Sequence, residues 1–151
     1  MNIIKKPFFK NVLKFLPLLI VYIVLVLAFT PDRLIDDEGR HLMYAENLLN
    51  GFYADSEDPS IRNGPGYPLI LAAAMVFKAP ILFLKLLNPV FLVLALVFFY
   101  QTLRFHINHK PALILSYLLG LYPPILKFML EILSESFVIF LVCGFLYFFS
   151  I

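Results

Sequence analysis

An all-α, polytopic membrane fold with about four transmembrane helices is the architecture this sequence predicts, and three observations predict it. Apolar residues make up 62% of the 151 positions and the mean hydropathy is +0.89, well beyond a water-soluble domain. Those residues gather in runs long enough to matter, since a bilayer core of about 30 Å takes roughly 20 helical residues to cross. Charge is segregated between the runs: lysines crowd before the first, and acids fill the loop after it. The net charge of +2 gives no basis for a nucleic acid partner. Cys143 is the single cysteine, so no disulfide framework and no cysteine-based metal site can form within the chain, and in its apolar run it packs.

The first span is expected over 11–30, preceded by Lys5, Lys6, Lys10 and Lys14. A secretory signal would share that basic start. Ala28-Phe29-Thr30 is a poor small-x-small cleavage site, however, which favours an uncleaved helix. Four lysines place the N-terminus in the cytoplasm and residues 31–67 outside. That outer loop holds Asp32, Asp36, Asp37, Glu38, Glu46, Asp55, Glu57 and Asp58, eight of the chain's 10 acidic residues. Within it Leu42, Ala45, Leu48 and Leu49 recur at helical spacing, which predicts a short amphipathic helix capped by Asp36 or Asp37 and stopped at Gly51. The stretch DSEDPSIRNGPGYP that follows is dense in turn formers and reads as irregular.

Residues 67–79 read as an interfacial helix, with Lys78 and Lys85 snorkelling to the headgroups. The second span is expected over 81–103, kinked near Pro89. Arg104, His106, His109 and Lys110 then form a short basic loop that suits the cytoplasm. A third span over 111–128 ends outside near Pro123-Pro124 and Lys127. A fourth begins near Phe137 and is still apolar at Ile151, with no basic flank. The expectation drawn from that ending is a single, incomplete membrane domain, the N-terminal part of a longer protein.

Asp37-Glu38 is the sharpest candidate for chemistry. A carboxylate at a helix N-terminus stays ionised beside the free backbone N–H groups and the helix dipole. Just outside the membrane it has the chemistry to take a proton from an attacking hydroxyl or to help hold a divalent cation. A solvated acidic loop with a helix cap fits the same residues. Glu131 and Glu135, four apart, would share one helical face and could join Asp37 where two outer loops meet; pairing of Lys127 with Glu131 is the plainer account. Arg40 and Arg62 suit a lipid phosphate, or simply balance the nearby acids. His41 lies close to the carboxylates as a candidate ligand or proton carrier.

One helix, then DDEGRHLMYAENLLNGFY, then RNGPGYPLILAAAMVF, then LYPPILKFMLEILSESFVIF resembles the N-terminal part of the GT-C membrane glycosyltransferases. Within that superfamily the protein O-mannosyltransferases, the aminoarabinose transferases and the bacterial lipopolysaccharide glycosyltransferases are most alike. The matching residues are Asp37, Glu38, Tyr44, Ala45, Leu48 and Gly51 in the outer loop, Arg62 ahead of Gly64-Pro65-Gly66-Tyr67-Pro68, and Ser134-Glu135 opening the fourth helix. Gly64 stands where the family has the first proline of a pair. The resemblance implies transfer of a sugar from a polyprenyl-phosphate donor to an acceptor on the outer face of a membrane, the bacterial inner membrane being the expected one. It implies Asp37 as general base, Glu38 as its positioning or acceptor-binding neighbour, and Arg62 or Arg40 at the donor phosphate. Tyr67, Glu131 and Glu135 are the further substrate-binding candidates. Much of the family's donor site lies on later helices, so this chain alone is expected to be inactive. The alternative is a small non-enzymatic membrane protein or subunit whose acidic outer loop binds a partner or cations.

Overall fold

The computed structural model of the chain describes residues 8–30, 33–54 and 63–151. Helices joined by turns and short connections make up the described residues, with no strand among them. The helices are α1 (Phe8–Val12), α2 (Leu16–Phe29), α3 (Asp36–Leu49), α4 (Gly66–Val76), α5 (Ile81–His106), α6 (His109–Gly120), α7 (Pro123–Met129) and α8 (Glu135–Phe149). A 3₁₀ turn over Leu13–Phe15 joins α1 to α2. Its cause is Pro17, which has no N–H to give the Leu13 carbonyl; the Leu16 N–H takes that carbonyl in the tighter pattern instead.

Among the described residues, two helical runs are long and apolar enough to cross a membrane, Lys10–Phe29 and Ile81–His106. A third is reached if α6 and α7, which meet at a 54° bend, count as one broken span. The expected single helix over 111–128 is therefore two. Pro123 and Pro124 cannot donate to the carbonyls of Leu119 and Gly120, so α6 ends and α7 restarts with proline in its first turn. α8 has 15 residues, about 22 Å of rise, and falls short of an upright crossing. α5, at 26 residues, rises about 39 Å and runs as one continuous helix through Pro89.

α5 is the axis of the molecule. On one side α2, α6 and α7 pack against it through Phe15, Leu18, Tyr22 and Val26, which meet Leu92, Leu96, Tyr100, Ala112 and Met129. On the other side lies α8, whose contact is aromatic: Phe91 and Phe98 meet Phe137, Phe140, Tyr147 and Phe148. α3 and α4 pack on each other and on the first turns of α5, burying Leu42, Ala45, Tyr67, Leu71, Leu84 and Ile132. The outward faces of α2 and α8 remain apolar, with Ile20, Val24, Leu27, Leu141, Phe145 and Phe149 all exposed. Helices apolar all round suit a lipid solvent, where such a surface costs nothing.

One close approach fixes α2 against the end of α6. The Tyr22 hydroxyl donates to the Gly120 carbonyl at 2.7 Å, the same carbonyl that Pro124 leaves without a helical donor. A Cβ on Gly120 would stand 2.6 Å from the Tyr22 oxygen and 2.7 Å from Leu96 Cδ1, so any side chain there forces one of them to shift.

Candidate functional site

Glu38 is tied to three separate parts of the fold. Its place in the first turn of α3 lets the carboxylate reach back to the start of the helix, where Oε2 accepts from the Ile35 N–H at 2.9 Å. The cap is thus Glu38 itself, and Ile35 rather than Asp36 or Asp37 occupies the N-cap position. Oε1 accepts from the Ile132 N–H at 2.8 Å, in the turn between α7 and α8. The same oxygen lies 2.9 Å from Lys85 Nζ on α5. Both side chains are sealed from solvent, Glu38 at 0% and Lys85 at 1% relative exposure.

Lys85 therefore does not snorkel. It points inward from an apolar helix because a carboxylate waits there, and a buried cation without that partner would be costly. Lys78 is exposed, with a φ of 55° at the corner between α4 and α5. The interfacial helix expected over 67–79 closes earlier, at Val76.

Asp37, one residue before, behaves oppositely. Its side chain is 55% exposed and pairs with Arg40 one turn along α3. The Arg40 Nε is buried and lacks a hydrogen-bond partner. Glu131 and Glu135 do not share a helical face: α7 ends at Met129, a turn intervenes, and Glu135 opens α8. The start of α3 and the α7–α8 turn do meet, but at Glu38 and the Ile132 amide rather than through a cluster of acids. Arg62 lies outside the described residues.

A polar chain links α4, α5 and the α7–α8 turn. Tyr67 on α4 donates to Asn88 Oδ1 at 3.1 Å, and Asn88 Nδ2 donates to the Glu131 carbonyl at 2.5 Å. Burial raises the Tyr67 pKa, with the Glu135 and Glu38 charges adding and the Asn88 contact opposing, so the phenol stays protonated and able to donate. His41 stands edge-on to the Tyr67 ring, centroids 5.2 Å apart, with Nε2 at 3.4 Å from Asn63 Nδ2. Its Nδ1 is buried and without a partner. Burial first, and then the neighbouring Arg40 charge, lower the His41 pKa. Tyr44 and Tyr53 stack at 4.6 Å, and the Tyr53 hydroxyl donates to the Asn63 carbonyl, tying Tyr53 both to α3 and to the residue three before α4.

Lys85 and Asn88 were not among the residues expected at the site. Polar groups three apart on an apolar helix share one face, a signal that marks the face without saying what meets it. Among the described residues no group of three or more His, Cys, Asp and Glu side chains converges as metal ligands.

The fold and this site define an all-helical protein with two helices, or three counting the bent pair, long and apolar enough to cross a membrane, and with a buried ion pair between α3 and α5. Comparison with protein-family models, with curated proteins and with solved structures finds no match for the chain.

Proposed function

We propose that this chain supplies the acceptor-activating part of a GT-C type membrane glycosyltransferase, with α8 as the fourth of its membrane helices, the N-terminus in the cytoplasm and α3 on the outer face of a bacterial inner membrane. The observation that carries the reading is the contrast between neighbours. Glu38 anchors the first turn of α3 to α5 and to the α7–α8 turn, while Asp37 presents a charged carboxylate to solvent beside it.

In the proposed step Asp37 accepts the proton of an acceptor hydroxyl as that oxygen bonds to the anomeric carbon of the donor sugar. The bond from that carbon to the polyprenyl-phosphate oxygen breaks, and the phosphate leaves with the electron pair. Arg40, already within reach of Asp37, or Arg62 meets the leaving phosphate, where a fixed cation lowers the barrier most. Glu38 acts as a positioning residue. Tyr67, Glu131 and Glu135 border the acceptor side, with the Tyr67 hydroxyl donating to Asn88 and so holding that wall in place. On this reading the 151 residues form one part of the enzyme, and the remaining helices complete the donor site.

The accessory-protein alternative has less to work with in the described part of the loop, where Asp37 is paired with Arg40 and Glu38 with Lys85. The deciding assay expresses the protein from its own chromosomal reading frame and supplies a radiolabelled polyprenyl-phosphate sugar to the membranes. Transfer that is present in the wild type and lost in Asp37→Asn, at equal protein level, supports the proposal. Equal transfer by both removes Asp37 as base.

A further inference from the structure

A groove of about 300 Å³ lies between α3, the end of α4 and the first turns of α5, lined by Gly39, Leu42, Met43, Met75, Ile81 and Leu84. That volume is at the lower end of the roughly 300–1,000 Å³ typical of pockets that hold small ligands. Gly39 forms part of the wall. A glycine inside a helix weakens it, and here neither a positive φ nor a close neighbour demands one, because a Cβ at Gly39 would meet nothing within 4 Å. What the missing side chain leaves is space. Two methionines face that space, and their unbranched chains adapt to a flexible apolar ligand.

The surroundings say which ligand. Ile81 and Leu84 belong to the helix long enough to cross the membrane, so the groove is continuous with lipid-facing surface. Val76, Phe77, Leu82 and Phe83, adjoining the lining residues in sequence, are exposed apolar side chains, Phe77 to 85%. The single charged residue in the lining is Glu46, which is exposed, and the exposed Lys78 adjoins the lining at Ala79. A carboxylate and an ammonium at one mouth suit the ammonium and the phosphate of a zwitterionic headgroup. We propose that the groove between α3 and the α4–α5 corner binds one acyl chain of a membrane glycerophospholipid, with Glu46 meeting an ammonium-bearing headgroup.

The test is photolabelling of the full chain in nanodiscs, with a diazirine on the acyl chain of phosphatidylethanolamine or phosphatidylglycerol, or on a polyprenyl phosphate. Label on the peptides containing Met43 and Met75, several-fold stronger from phosphatidylethanolamine than from phosphatidylglycerol, is the expected result. Gly39→Leu should fill the groove and cut labelling several-fold without lowering the melting temperature, with Gly39→Ala intermediate. Glu46→Gln should erase the headgroup preference. Undiminished labelling of Gly39→Leu overturns the proposal, as does equal labelling by phosphatidylglycerol or stronger labelling by the polyprenyl phosphate. Sugar transfer is not read in this experiment, so its outcome is independent of the role of Asp37.

Discussion

Lys85 Nζ lies 2.9 Å from Glu38 Oε1, and neither side chain reaches solvent. A buried ion pair contributes little net stability, because two desolvation penalties offset the attraction, but losing one partner strands the other. Glu38 also accepts two backbone N–H groups, so its loss leaves more unsatisfied than the loss of Lys85. Glu38→Ala should therefore destabilise the protein by about 3–5 kcal/mol. Lys85→Met should cost less, and Glu38→Gln combined with Lys85→Met should be more stable than Glu38→Ala alone. Chemical denaturation of each variant in detergent measures these values.

Asp37 should show the reverse profile. Asp37 is the exposed member of its pair with the half-buried Arg40, and pairs open to solvent contribute about 0–1 kcal/mol. Asp37→Asn should leave the melting temperature nearly unchanged in the preparation where Glu38→Ala lowers it strongly. A large loss of stability in Asp37→Asn would show that the residue is structural.

The contact of Tyr22 with Gly120 predicts a packing defect. Gly120→Ala places a methyl group against Tyr22 and Leu96 at distances that force a shift, at a cost of about 1–3 kcal/mol. Tyr22→Phe alone removes one hydrogen bond between helices, worth about 0.6 kcal/mol in membrane proteins. Together the two changes should cost less than their sum, because the phenylalanine no longer presents the oxygen the new methyl meets. Thermal denaturation of the two single variants and the double variant checks this.

His41 predicts a pH dependence. Its folded-state pKa is depressed by burial and, secondarily, by Arg40. The unfolded chain therefore binds a proton near the ordinary histidine pKa, about 6.5, that the folded chain does not. The stability this contributes is full above that pH and is lost as pH falls through it toward the folded-state value. Between about pH 7.5 and 5.5 the wild type should lose more melting temperature than His41→Gln does. Identical slopes would show that His41 titrates alike in both states.

How far the sequence carried these conclusions varied by residue. The amphipathic helix over 36–49 was legible because Leu42, Ala45, Leu48 and Leu49 repeat at helical spacing, and its stop was legible because Gly51 takes a φ of 88° that side chains resist. The second span was legible as an apolar run bounded by Pro80 and a basic cluster. The fate of Lys85 was not. A lysine near the end of an apolar helix reads the same whether it reaches headgroups or an internal carboxylate, and only the partner's position decides. For the same reason Asp37 outranked Glu38 on the strength of a resemblance, although Glu38 has the richer set of contacts. Glu131 and Glu135 satisfied a helical spacing without a helix between them, since spacing says nothing about where α7 stops.

The chain distance behind one of Glu38's bonds bears on how the protein is made. Glu38 and Ile132 are separated by 94 positions, with Lys85 between them. During synthesis the carboxylate emerges first, the ammonium next and the last amide only after α7 has been made. Until then the pair has an incomplete set of partners, and water is the better place for both charges. The last of the partners that Glu38 binds is therefore made only after α7, whatever the order in which the earlier helices pack.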